Sequence, residues 1–153
     1  KTLYNHFKSK DELIVAALAQ RDAQFLEGMH EAIGKFLLGR SADKHMAKVL
    51  AYFDALEEWI CSDRFYGCTF INASAEYPPL EDPVHVACAE PKQGVSNLVQ
   101  EFLADFPVAD STELAQQLAM LGEGAIVLAH TAGDTQAVAS ARDAAQRLMK
   151  SYL

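Results

Sequence analysis

Apolar residues in this chain return every third or fourth position, segment after segment, and nowhere alternate long enough to build a sheet. That periodicity restricts the chain to helices packed on helices. Met46, Val49, Phe53, Leu56 and Ile60 are the clearest amphipathic run. Ile14, Leu18, Phe25, Met29, Ile33 and Phe36 mark a longer stripe, which predicts a helix to about Phe36. Ser9 and Glu12 are spaced as a capping box at its start, with Glu12 reaching back to the Ser9 N–H. Leu3 and Phe7 would share the buried face of a short helical piece before it, over residues 1 to 7. Gly39 should end the long helix and Ser41 cap the next. Residues 62 to 67 break the pattern. A short helix over about Cys68 to Tyr77 should end at Pro78 and Pro79.

Pro83 suits the first turn of a further helix carrying Val84, Cys88, Val95, Leu98, Phe102 and Phe106 on one face. Pro91 falls inside it. A proline there has no N–H for the Ala87 carbonyl, so a kink or break near residues 87 to 91 is expected. Two more helices should follow, from Asp110 or Ser111 to about His130 and from about Gln136 to Tyr152. Both are rich in small residues. Ala119, Gly122 and Ile126 form one row, and Ala137, Ala141, Ala144 and Leu148 form another. Such rows let helix axes approach closely, within one chain or across a symmetric interface.

Half of the 153 residues are hydrophobic, enough for a real core. No apolar run is long enough for a membrane span, and no secretory leader is visible. The chain begins at Lys1, inside what reads as a helix, and is expected to be a fragment lacking its natural N-terminus. Cys61, Cys68 and Cys88 are too few and too irregular for a disulfide framework or a zinc pattern. Free thiols in a reducing cytoplasm are the simplest expectation. The net charge of −8 disfavours broad nucleic-acid binding, yet Lys1, Lys8 and Lys10 make the first ten residues purely basic. A basic tip on an acidic body suits phosphate contact at one end only.

The tip has the chemistry of a recognition helix. Leu3 and Phe7 would pack inward, leaving Lys1, Thr2, Tyr4, Asn5 and His6 to face outward. Lys10 falls in the first turn of the next helix, where free N–H groups already favour a phosphate. The motif Leu3-Tyr4-x-His6-Phe7-x-Ser9-Lys10-x-x-Leu13 resembles the end of the DNA-binding domain in the tetracycline-repressor (TetR) family. Gly67-Cys68-Thr69-Phe70-Ile71-Asn72-Ala73 is similar to the start of that family's sixth helix. Leu121-Gly122-Glu123-Gly124-Ala125-Ile126-Val127 is similar to its eighth.

The resemblance implies an all-α fold: a TetR-like helical regulatory domain with the remnant of an N-terminal helix-turn-helix. Residues 1–10 would end the DNA-binding domain, and residues 11–153 would form the ligand-binding and dimerisation domain. It implies phosphate contact by Tyr4, His6 and Lys10, and base contact nearer Thr2 and Asn5. The family's first two helices are absent, so this chain alone should bind operator DNA poorly, with its first eight residues frayed. In the body, the middle helices would enclose a small, mostly apolar effector. Phe53, Leu56, Trp59, Phe70, Met120 and Val127 are candidate walls, and Asn72, Glu76 and Glu123 candidate polar contacts. The expected protein is a cytoplasmic, ligand-responsive repressor. It would bind a palindromic operator as a homodimer through its last two helices, with no cofactor, metal or membrane partner.

Two other readings compete. A di-iron helical bundle needs two Glu-x-x-His pairs, and the chain offers Glu27-x-x-His30 with only Asp82-x-x-His85 as a poor second. A helical dimer that ignores ligands is the other. No nucleophile elbow, phosphate-binding glycine loop or dinucleotide fingerprint is present, so no enzymatic activity is expected.

Overall fold

The computed structural model describes residues 6–38, 43–104, 106–108 and 110–152, and every regular element among them is an α-helix. The helices are α1 (Lys10–Leu37), α2 (Lys44–Ile60), α3 (Thr69–Glu76), α4 (Pro83–Phe102), α5 (Ser111–Ala132) and α6 (Ala137–Lys150). None is long and apolar enough to cross a membrane. The expected helical piece over residues 1 to 7 lies mostly outside the described residues, as do Gly39 and Ser41.

Local chemistry sets the helix ends. The Ser9 hydroxyl accepts from the Glu12 N–H at 3.1 Å. Glu12 reaches back one residue further than a standard capping box, to the Lys8 N–H. Asp43 caps α2 by accepting from the N–H groups of His45 and Met46. Those two bonds, the Met46 one foremost, hold its carboxyl below the usual carboxylate range. Asp82 and Asp110 cap α4 and α5 in the same way, and Gly133 closes α5 in the left-handed conformation, with φ of 65°.

A break at Pro91 and a helix reaching Phe106 are both corrected in α4. Its helix runs through Pro91 without a break. One rung of the ladder is lost at the Ala87 carbonyl, and the proline ring is buried on the inward face. The helix also stops at Phe102, short of Phe106. Pro107 disfavours helical backbone at the residue before it, and Phe106 instead closes a turn onto the Leu103 carbonyl at 2.9 Å. Phe106 is still buried there, edge-on to His45.

α2 is the central rod. It packs on α1, α4, α5 and α6. Val49, Ala51, Phe53 and Leu56 are wholly inaccessible. Burying a side chain such as Phe53 or Leu56 stabilises the fold by about 1.5–3 kcal/mol each. Polar ties fix the neighbours. His45 Nδ1 donates to the Phe102 carbonyl at 2.8 Å, joining the start of α2 to the end of α4. Arg142 Nε donates to Asp54 at 2.8 Å, joining α6 to α2. α1 lies across α2 and α4, and α3 covers α4.

Candidate functional site

Where α1, α3, α4 and α5 meet the end of α2, the packing leaves a small cavity. Three aromatic side chains wall it: Phe25 of α1, Trp59 of α2 and Phe70 of α3. Phe25 and Phe65 each meet the Trp59 ring edge-on at a centroid distance of 5.1 Å. Pro91 and Val95 of α4 and Ile126 of α5 add apolar surface. The free space is about 30 Å³, enough for one or two water molecules. A site for a drug-sized ligand typically holds about 300–1,000 Å³. An effector here therefore needs side chains to move.

The cavity's polar groups are four charged side chains, Arg21, Asp22, Lys92 and Glu123, with the Cys68 thiol and Thr69. Lys92 Nζ donates to Glu123 Oε2 at 2.6 Å and to Cys68 Sγ at 3.1 Å. Burial pulls the ammonium's pKa down. The hydrogen bond and charge of Glu123, with the Cys68 sulfur, outweigh that pull, and the pKa lies above the ordinary lysine value. Both partners keep about a third of their side-chain surface exposed, at 31% and 27%, so the pair is worth about 1 kcal/mol at most.

Asp22 is the anomaly. Its Oδ1 is buried and nothing in the protein donates to it. Burial, and secondarily the charge of Glu90, raises its carboxyl above the usual value. An ionised carboxylate with one oxygen desolvated and lacking a donor destabilises the fold. Asp22→Asn should therefore stabilise the protein at pH 7 by about 1 kcal/mol, or about 2–4 °C in Tm. The gain belongs to the ionised form. It should fall as pH drops through the raised folded-state value, and vanish below the unfolded value of 3.8, where both states are protonated. Urea unfolding at several pH values measures it.

The structure sorts the residues singled out from sequence. Trp59, Phe70 and Glu123 line this cavity. Phe53 and Leu56 are wholly buried in the core and do not line it. Asn72, Glu76, Met120 and Val127 are exposed. The cavity's Arg21, Asp22, Phe25, Cys68 and Lys92 were not anticipated. One signal was available in the sequence: Asp22 interrupts the apolar stripe between Leu18 and Phe25.

On the last two helices, Ala119, Gly122, Ile126, Ala137 and Ala141 are buried in the chain's own core. Little of their surface is open to a partner chain, and their small size serves packing within the monomer. Ala144 and Leu148 remain half-buried. The exposed apolar surface of α5 is instead Met120, Val127 and Leu128, with Gly124 open beside them. At the other end, His6 and Lys10 are exposed, while Lys1, Thr2, Tyr4 and Asn5 lie outside the described residues. Glu27 and His30 face solvent, and His30 Nδ1 is engaged by the Leu26 carbonyl of its own helix. Among the described residues no metal-binding group of three His, Cys, Asp or Glu gathers.

The architecture has solved relatives. A crystal structure of a TetR-family transcriptional regulator from Streptomyces coelicolor superposes with a TM-score of 0.81 at 31% identity, covering 98% of this chain and 71% of that one. A TetR-type protein from Streptomyces avermitilis shares the fold, with a TM-score of 0.73 at 22% identity, over 94% of this chain and 79% of its own. These place the chain among all-helical transcriptional regulators. The model of the LmrA/YxaF-like transcriptional regulator C-terminal domain matches residues 46–144, and the chain belongs to the TetR family. The HTH-type transcriptional regulator YjdC of Escherichia coli is 32% identical over 79 residues. That match covers 52% of this chain and 41% of YjdC, so the chain spans less than half of that relative.

Proposed function

We propose that the protein is the regulatory part of a repressor that binds palindromic operator DNA as a homodimer and lets go when a small effector enters the body. The observation that carries this reading is the position of α1. Asp22 and Phe25 of α1 wall the cavity, and the same helix begins at Lys10, beside the basic tip. Twelve residues of helix separate Lys10 from Asp22, about 18 Å. A ligand that pushes the cavity wall outward tilts a rigid rod whose far end carries the DNA-reading residues. Two such rods in a dimer fit successive major grooves at one separation and not at another.

The roles of Lys1, Thr2, Tyr4, Asn5, His6 and Lys10 belong to this reading, as does the division between residues 1–10 and 11–153. For the dimer contact we propose the exposed row Met120, Gly124, Val127 and Leu128 on α5, with Ala144 and Leu148 of α6 beside it. The placement of the protein in the cytoplasm follows from its DNA target.

Selection from a random duplex pool tests the proposal, using a chain in which the motif at residues 3–13 completes a full helix-turn-helix. Inverted repeats should be enriched. They should be released by a compound that raises the Tm of the body, and binding should weaken steeply with salt. Enrichment without symmetry would contradict operator binding by a dimer. Bound compounds that release nothing would favour the ligand-indifferent dimer.

A further inference from the structure

We propose that the cavity is an organic-cation site which Lys92 fills as a tethered occupant, so that the effector is a protonated amine on an aromatic body. This rests on the effector reading above and adds the ligand's chemistry. Three observations converge on it. First, Asp22 lines the cavity, and its Oδ1 is a buried acceptor with no donor from the protein. A carboxylate left in that state is completed by a donor from outside, and a cation satisfies it best. Second, Phe25, Trp59 and Phe70 supply ring surface on which a cation gains further attraction. Third, the space already holds an ammonium. Lys92 Nζ sits on Glu123 at 2.6 Å and on Cys68 at 3.1 Å.

The geometry also provides a way for that ammonium to leave. Lys92 borders two neighbouring clefts besides this cavity, with volumes of about 200 and 400 Å³. Pro91 removes a helical hydrogen bond one residue before it, which loosens the backbone that carries it. With Lys92 swung out, Glu123 is released and the small cavity gains the volume of a lysine side chain. An incoming ammonium then lies between Glu123 and Asp22 and restores the charge balance. An anionic ligand gains only Arg21 and meets the buried acceptor of Asp22, with Glu90 adding negative potential beside it.

Trp59 is the chain's single tryptophan and lines the cavity, so its fluorescence reports binding. The probes are phenethylamine, the neutral 2-phenylethanol and the anionic phenylacetate, titrated at pH 7 into the full chain. Phenethylamine should give a saturable change, at an affinity about tenfold or more above that for the other two. Asp22→Asn should weaken the amine about tenfold. Lys92→Ala should tighten it several-fold by removing the internal competitor, and Lys92→Gln gives the same direction if the alanine variant does not fold. Misfolding cannot produce tighter binding, so the opposite signs of the two substitutions carry the test. Equal or better binding of the alcohol or the acid leaves an effector site but overturns the cation assignment. Weaker amine binding without Lys92 overturns the tethered-occupant idea. No saturable response to any probe overturns the inference as a whole, and a thermal-shift hit of another chemical class would then keep the effector reading alone.

Discussion

Gly122→Ala should cost about 2 kcal/mol, although exchanging a mid-helix glycine for alanine ordinarily gains close to 1 kcal/mol. The reason is the close approach of α5 to α2. A Cβ at position 122 would lie 2.6 Å from the Tyr52 hydroxyl, 3.1 Å from Leu56 Cδ1 and 3.3 Å from Tyr52 Cε1. Tyr52 is buried, its pKa raised well above the ordinary tyrosine value by burial and by the charge of Glu123. A rigid ring in a filled core cannot step aside, so the helices must separate. The control is Tyr52→Phe, which removes the atom in conflict. In the Tyr52→Phe background Gly122→Ala should lose most of its penalty, giving a coupling of about 1 kcal/mol or more in a double-mutant cycle. Additive losses in urea unfolding would show that the contact at position 122 is not what limits the helix approach.

Met120→Glu combined with Leu128→Glu should convert a dimer into a monomer, weakening self-association about 100-fold or more, and leave the fold of each chain intact. Met120 is 63% exposed and Leu128 50% exposed. Large apolar side chains so open to water on one helix are the kind of surface a second copy covers. Carboxylates there cost the monomer little, because surface substitutions change stability by about 0.5 kcal/mol at most. Two like charges repeated across a two-fold axis repel strongly. Sedimentation velocity should give a species near twice 16.8 kDa for the parent and near 16.8 kDa for the double variant. A monomeric parent, or a variant that still dimerises, would move the interface elsewhere.

The two predictions concern opposite faces of α5, and that helix shows where sequence reading ran out. Its existence and both ends were legible: Asp110 caps it and Gly133 closes it. Its orientation was not. α5 is apolar around most of its circumference, so Ala119, Gly122 and Ile126 form as good a row as Met120, Val127 and Leu128. Periodicity names faces without saying which one looks inward. The tight contact of Gly122 with Tyr52 decides it, and that contact joins residues 70 positions apart. α2 was easier, because one polar edge and a long apolar arc leave a single way to bury it. α4 was legible except at Pro91, where local rules predicted a break and the helix continues with the ring buried, and at its end, which falls at Phe102 and not Phe106.

The cavity was partly legible for a related reason. Phe70 and Glu123 sit in segments that resemble family motifs, and Trp59 lies on the plainly amphipathic α2, which drew attention to the right helices. Phe53 and Leu56 point to the core from one turn away, and a rotation of one residue decides between core and cavity wall. Asp22 and Lys92 carry little information in sequence, since a charged residue beside an apolar stripe usually faces water. Their meaning appears only when α1, α4 and α5 bring them around one space.

The central claim is that occupancy of the body moves the start of α1 in each half of a dimer. Pulsed electron–electron double resonance tests it directly, with a spin label on Asp11→Cys after Cys61→Ser removes the one exposed native thiol. Asp11 is in the first turn of α1, and Cys68 and Cys88 are buried away from the label. The account predicts a defined distance between the two labels of a dimer. It also predicts a change of about 2 Å or more when phenethylamine, or any compound that raises the Tm, saturates the cavity. Absence of an intermolecular distance, or a distance unmoved by a saturating ligand, would contradict it.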